Sequence, residues 1–228
     1  MAIKITNHPR FHGVFETELG RRKLLLTQNL VPGTQVYGEN LFKQEGVEYR
    51  EWVIQRSKLA AAIAKGISQI GMKPGSTVLY LGCASGTTSS HVSDLVGKDG
   101  FVFALDFAPR VLRDMVFVCQ ARRNITPILA DAFHPERYAH RVLAVDAVFQ
   151  DIAQKNQAEI FLRNCDMFLR QGGFGILAVK ARSVDVTKRP KEIFARVREQ
   201  LEKQVTIVDY RELDPYEKDH CVFVVKKK

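Results

Sequence analysis

The chain has 228 residues, 46% of them hydrophobic, which suits one sizeable α/β domain with a small appendage. Apolar runs such as Val145 to Phe149, with Asp146 inside, are far shorter than the roughly 20 residues of a membrane span. The start, "MAIKITNHPR", has no signal-peptide core, so a soluble, cytoplasmic protein without a membrane partner is expected. Lys and Arg number 34 against 25 Asp and Glu, a net charge of +9, which favours a polyanion such as RNA as partner.

Residues 1–52 read as short alternating runs broken by Gly13, Pro32-Gly33, Gly38 and Gly46. They predict a small antiparallel β domain with hairpin turns, "VPGT" being a turn with Pro in second place. Residues 53–228 predict a larger α/β domain. Leu59, Ile63 and Ile67 recur every four residues, as on one helix face. Strands and helices then alternate. "TVLYLG" is a strand and "TTSSHVSDLVG" starts a helix. "GFVFALDF" is a strand, followed by the helix "APRVLRDMVFVCQAR". "ITPILADA" and "AVDAVFQDIA" are the third and fourth strands. The helix "NQAEIFLRNCDMFLRQ" leads to the fifth, "GGFGILAVKA". The helix "RPKEIFARVREQLEKQ" carries Pro190 near its first turn. "VTIVDYREL" and "HCVFVVKK" close the chain as an antiparallel pair. Alternation of this kind predicts a doubly wound, mostly parallel sheet with right-handed crossovers. Cys83, Cys119, Cys165 and Cys221 show no C-x-x-C spacing, so buried, reduced thiols are expected and no metal site.

The first strand-to-helix corner reads Gly82-Cys83-Ala84-Ser85-Gly86-Thr87. A dinucleotide loop would carry glycine at its first, third and sixth positions. Here the third is Ala84 and the sixth Thr87. Gly82 and Ala84 keep the backbone approachable, but a pyrophosphate seat is poor. A phosphate-free nucleoside fits better, and S-adenosylmethionine is the common one. Thr87 and Thr88 are expected to cap the helix and meet the ligand's carboxylate. Asp106 ends the second strand, where such sheets place an acid on ribose hydroxyls. Asp131-Ala132 ends the third, positioned for the adenine amino group, and Asp151 ends the fourth.

The segments "YLGCASGTTSSHVSDLVG", "DAFHP", "QDIAQ", "VKA" and "DPYEKDHCVFVV" resemble the fibrillarin family, and the similarity runs from "HGVFE" to the last strand. The start at "MAIKITNHPRFHGVFE", without a Gly/Arg-rich extension, resembles the archaeal form. Departures are small: Cys83 stands where the family usually has Ala, and Asp106 where Glu is common. The resemblance implies a class I S-adenosylmethionine-dependent methyltransferase fold. That is a Rossmann-like, mostly parallel seven-stranded sheet with an antiparallel last strand, plus a small N-terminal β domain. It implies 2′-O-methylation of rRNA and tRNA directed by box C/D guide RNA. It also implies two protein partners, a coiled-coil scaffold subunit and a kink-turn-binding protein. Cofactor contacts implied are Thr87, Thr88, Asp106, Phe107 on the adenine face, Asp131, Ala132, and the segment Asp151, Ile152, Ala153 and Gln154.

A ribose 2′-hydroxyl is a weak nucleophile, so an enzyme must align it with the methyl group and help remove its proton. RNA 2′-O-methyltransferases commonly use a Lys-Asp-Lys set with a fourth polar residue. The matching positions are Lys58, Asp151 and Lys180, with His220 or Asp219 as the fourth. Lys180 is expected to take the proton and Lys58 to hold the oxygen or a phosphate. Arg110, Arg113, Lys155, Arg182, Lys188 and Arg189 are candidates for RNA contact. No aromatic pair suited to reading bases is evident, so guide pairing is expected to supply sequence. A protein (glutamine) or small-molecule methyltransferase is the alternative, and needs no paired lysines.

Overall fold

A computed structural model describes residues 3–228. Five short strands, β1 (Thr6–Asn7), β2 (Val14–Leu19), β3 (Arg22–Gln28), β4 (Leu41–Gln44) and β5 (Val47–Glu51), form an antiparallel sheet in the order β1-β2-β3-β5-β4. The "VPGT" turn closes with Thr34 N–H donating to the Val31 carbonyl at 3.1 Å. Gly33 has φ +82 there, which the third position of a type II turn requires.

Helix α1 (Lys58–Ala64) is capped by the Ser57 hydroxyl, which accepts from Ala60 N–H. The apolar repeat had extended to Ile67, but Gly66 at φ +77 turns the chain out of the helix. Ile67 is nevertheless fully buried. The chain continues through β6 (Thr77–Leu81), α2 (Thr87–Val96), β7 (Phe101–Asp106), α3 (Pro109–Gln120), β8 (Ile125–Leu129), β9 (Val145–Gln150) and α4 (Gln157–Phe168). It ends with β10 (Leu169–Lys180), α5 (Ala181–Val184), α6 (Pro190–Glu202), β11 (Val205–Glu212) and β12 (His220–Lys227).

The second sheet has the order β11-β12-β10-β9-β6-β7-β8. Strands β10, β9, β6, β7 and β8 pair in parallel, and β12 is antiparallel to both neighbours. Alternating residues serve two faces, which explains the near-continuous apolar strands. Val78 and Tyr80 pack with Leu59, Val92 and Met115 on one side. Leu79 and Leu81 pack with Phe161, Phe194 and Val197 on the other. Two details depart from the sequence pattern. Helix α4 stops at Phe168 rather than running to Gln171, and β10 begins at once, Leu169 pairing with Val145. A register shift before Phe174 absorbs Gly172 and Gly173. There a Cβ on Gly173 would lie 2.9 Å from two backbone carbonyls. The basic segment after Lys180 contains one helical turn, α5.

A buried polar network joins the first sheet to helix α2. Arg50 donates to Glu39 at 2.6 Å, to Asp94 at 2.8 Å and to Ser90 at 3.0 Å. Arg122 reaches the other Asp94 oxygen at 2.5 Å. Both arginines and both acids are almost wholly removed from solvent. His91 completes the junction, stacked on Trp52 and bridging Thr27 and Tyr37 at 2.7 Å each.

Burial first, then the Arg50 and Arg122 charges, hold His91 well below the ordinary histidine value of 6.5. An unfolded chain takes up a proton at this residue below that pH, whereas the folded chain resists it. Stability therefore falls as pH drops below 6.5, by about 1.4 kcal/mol per pH unit from this one residue. The thermal midpoint is expected to decline steadily between about pH 7 and pH 5. His91→Gln is expected to flatten that decline; an unchanged slope in the variant would contradict the assignment.

Candidate active site

The sheet order reverses at β6, whose successor β7 lies on one side and whose other neighbour is β9. Open α/β sheets bind ligands in the crevice at such a point, beyond the carboxyl ends of the strands. The Gly82 corner and Asp151 stand there. The corner backbone is tied down by Gly82 and Cys83 N–H donating to the Leu105 carbonyl. A Cβ on Gly82 would lie 2.3 Å from the Asp151 carbonyl oxygen, and Gly82 has φ +85. Gly82→Ala is therefore expected to cost about 1–3 kcal/mol, read as a lowered thermal midpoint; wild-type stability in the variant would contradict this packing.

Helix α2 is capped differently from the expectation. Its N-cap is Gly86, at φ +104 with no side-chain cap bond, and Thr87 and Thr88 are the first two helical residues. The left-handed cap conformation excludes a β-branched residue, and a Cβ would press on Met115 Sδ at 3.0 Å. The first helical bond is Ser90 N–H to the Gly86 carbonyl. The amides of Thr87, Thr88 and Ser89 are thus left without intrahelical acceptors, at the positive end of the helix dipole. Burial, with Asp106 next, pushes the Cys83 thiol upward, so it is an inert filler of the corner.

Asp106 is nearly buried, and both its oxygens hold backbone. One accepts from Ala84 N–H at 2.9 Å and the other from Ala108 N–H at 3.0 Å. It therefore shapes the corner and starts α3, and each oxygen keeps a second lone pair. Phe107 beside it is 62% exposed, an aromatic face presented at the rim. Asp131 is exposed and accepts from Phe133 N–H at 2.9 Å, while Ala132 is buried. Asp131 and Asp151 are separated by the three strand spacings from β8 to β9, about 14 Å.

Lys58, the first residue of α1, reaches across to Asp151, 93 residues later, with Nζ 3.0 Å from Oδ2. The two side chains are 20% and 24% exposed, a pair at the mouth of the crevice. Asp151 N–H donates to the Leu81 carbonyl, fixing the turn. Lys180 and His220 are direct partners across β10 and β12. His220 is nearly buried, and its Nδ1 donates to the Lys218 carbonyl at 2.6 Å. Its lone pair is therefore on Nε2. Burial first, with the Lys58 charge also acting, lowers its proton affinity, so it is neutral at pH 7. The charges of Lys58 and Asp151 both act on His220. Asp219, the other candidate, instead pairs with Arg182 at 2.9 Å.

The structure thus joins Lys58 to Asp151, Asp151 to Gly82, Ala84 to Asp106 and Lys180 to His220. Ile152 packs beside Gly82, Gln154 is half-buried and Ala153 is exposed. Asp131, Ala132 and Phe107 stand apart from the lysines, toward the other edge. Of the basic candidates, Arg110, Arg113 and Lys155 are exposed, Lys188 is half-buried, and Arg189 pairs loosely with Glu192 at 3.7 Å. Sequence reasoning missed the role of Gln157, whose carboxamide contacts the Lys180 backbone. Nothing in "KNQAEIF" marks it, because its partners lie on other strands. Among the described residues no group of three or more His, Cys, Asp or Glu gathers to hold a metal ion, and no helix is long and apolar enough to cross a membrane.

A seven-stranded sheet with one reversed strand, a tight glycine-cornered crossover and acids on successive strand ends define a protein of the class I methyltransferase fold. The fibrillarin family model matches residues 5–228, and the chain belongs to that family. It is 53% identical over 227 residues to the fibrillarin-like rRNA/tRNA 2′-O-methyltransferase of Thermococcus onnurineus (strain NA1), covering 99% of this chain and 100% of that protein. Aeropyrum pernix fibrillarin, solved in complex with natively bound S-adenosyl-L-methionine, superposes with a TM-score of 0.91 at 46% identity, over 99% of this chain and 100% of that one. The fibrillarin chain of a fibrillarin/Nop5p complex matches with a TM-score of 0.82 at 40% identity, over 90% of this chain and 94% of that chain.

Proposed function

We propose that this chain transfers a methyl group from S-adenosylmethionine to ribose 2′-hydroxyls of rRNA and tRNA, at positions chosen by box C/D guide RNA. The observation that carries this reading is the Lys58–Asp151 pair at 3.0 Å, seated at the switch point beside the glycine corner. A cofactor pocket alone serves many methyl acceptors. An ammonium–carboxylate pair at its mouth, with Lys180 and His220 following on adjacent strands, suits a hydroxyl flanked by phosphates.

The residues present fit the cofactor. Free amides at the start of α2 suit its carboxylate. Asp106 keeps lone pairs for ribose hydroxyls, and Asp131 has an exposed carboxylate for the adenine amino group. Phe107 offers a ring face to the base, and the corner offers no pyrophosphate seat. Ala84, Ala132 and Ile152 to Gln154 complete the walls. When bound, the cofactor supplies an electrophilic methyl group on a sulfonium.

Lys58 is committed to Asp151 as a hydrogen-bond donor, so it serves as a fixed positive group that holds the ribose oxygen or the next phosphate. Asp151 keeps that ammonium in place. Lys180 is left as the amine that takes the 2′-hydroxyl proton as oxygen attacks. Neutral His220 offers its Nε2 lone pair as an acceptor and adds no positive charge beside Lys58. The exposed Arg110, Arg113 and Lys155 contribute phosphate contacts that position RNA without reading sequence.

A scaffold subunit of the kind present in the fibrillarin/Nop5p complex and a kink-turn-binding protein would bring the guide duplex to the site. The close relative is an archaeal protein, and a cytoplasmic location belongs to the same reading. The test is reconstitution with a guide RNA, both partner proteins, a complementary target and methyl-labelled cofactor. The label is expected at one guide-specified ribose. Label in polypeptide, or in no RNA, would favour the protein-methylating alternative instead.

A further inference from the structure

We infer that Gln157 is a positioning residue that sets the place of Lys180 relative to Asp151; this rests on the role given to Lys180 above. The ladder between β9 and β10 ends at Gln150 opposite Leu177. Beyond that rung β9 departs, and Asp151 N–H goes to β6 instead. Strand β10 runs three residues further, held by β12 on its other side through Lys180 opposite His220. Its edge toward β9 has lost its partner strand there. The Gln157 carboxamide fills the gap. Its Oε1 accepts from Lys180 N–H at 3.1 Å and its Nε2 donates to the Lys180 carbonyl at 3.2 Å. That is the donor–acceptor pattern of a missing strand residue, supplied by a side chain from the first turn of α4.

The same residue is tied to the acid's strand. The Gln157 carbonyl accepts from Gln150 Nε2 at 2.7 Å, and Gln150 directly precedes Asp151. One chain of hydrogen bonds therefore runs from the residue before the acid to the backbone of the lysine. Gln157 and Gln150 are 1% and 0% exposed. Buried carboxamides are costly unless paired, and here both Gln157 polar atoms are spent on one residue. Level with Asp151, β10 has Ala178, so Lys180 lies two residues on, about 6.6 Å along the strand. An unsupported strand end lets that offset drift. A drift near 1 Å is enough to cost about 10²-fold in an aligned reaction.

The experiment measures single-turnover methylation in the reconstituted particle for Gln157→Met, Gln157→Glu, Lys180→Ala and Lys180→Ala/Gln157→Met. Methionine keeps the length and removes both bonds. Glutamate keeps the acceptor and loses the donor, and guards against a methionine variant that folds poorly. Loss of about tenfold or more in the methyl-transfer rate is expected for either Gln157 variant. Cofactor affinity by calorimetry should stay within about twofold, so that kcat moves and binding does not. In the Lys180→Ala background the Gln157→Met loss should vanish, because the group it positions is gone. An unchanged rate in both Gln157 variants, or an equal loss with and without Lys180, overturns the inference while leaving the Lys180 assignment standing. Full activity in Lys180→Ala alone overturns both.

Discussion

Lys180→Ala is expected to lower the rate of 2′-O-methyl transfer by about 10²- to 10⁴-fold, the range that a positioned proton acceptor contributes. Cofactor affinity should be nearly unchanged, because Lys180 sits on β10 and the corner proposed to hold the cofactor is built from β6, β7 and α2. Lys58→Ala should cost a similar factor, but for another reason. It removes the fixed ammonium and leaves Asp151 without the partner at 3.0 Å. A Lys180→Ala enzyme that keeps the wild-type rate contradicts the division of roles. An acidic limb in the pH–rate profile is expected below the ordinary histidine value of 6.5, where His220, lowered by its burial, gains a charge.

The largest stability effect is expected at the junction of the two sheets. Arg50→Ala removes the cation shared by Glu39 and Asp94, both wholly buried as side chains. Two carboxylates then lie in the interior, with Arg122 left as Asp94's partner. Breaking a buried pair in this way typically costs about 3–5 kcal/mol, most of it the penalty of the stranded charge. For a chain of this size that is a fall of roughly 6–20 °C in the thermal midpoint. The double change Arg50→Met, Glu39→Gln should recover part of the loss, because Asp94 keeps Arg122 as its partner and no charge is stranded. A fall under about 1 kcal/mol for Arg50→Ala would show that water reaches the junction. Helix α2 carries both Ser90 and Asp94 of this network and, at its start, the amides proposed to meet the cofactor. Loosening the junction is therefore expected to weaken cofactor binding as well, since Ser90 is bonded to Gly86 and Thr87 at the start of α2.

Most of the architecture was legible because its signals are local. Strand apolarity, the Pro190 start of α6, the "VPGT" turn and the glycine corner each follow from neighbouring residues. The antiparallel end of the sheet was legible from the short connection between β11 and β12. The convergence of Lys58 and Asp151 was legible only through family resemblance, since spacing alone cannot join residues 93 apart. Capping was misread because Thr87 and Thr88 look like caps, whereas the corner's geometry demanded a left-handed residue one place earlier. The Glu39–Arg50–Asp94–Arg122 network and the Gln157 clamp were invisible for the opposite reason. Their members are ordinary surface-type residues, and only the packed chain shows that they are buried and paired. Sheet ends behave likewise: where β9 leaves β10, no pattern in either strand announces that a helix side chain takes over.

The proposed function requires that a ribose 2′-oxygen be brought to the methyl donor at this crevice. The direct measurement uses a guide-paired target RNA with a single 2′-deoxy residue at the specified position and methyl-labelled cofactor. Incorporation is expected to disappear with the deoxy residue and to return when the hydroxyl is restored. Undiminished label in the deoxy target would contradict it.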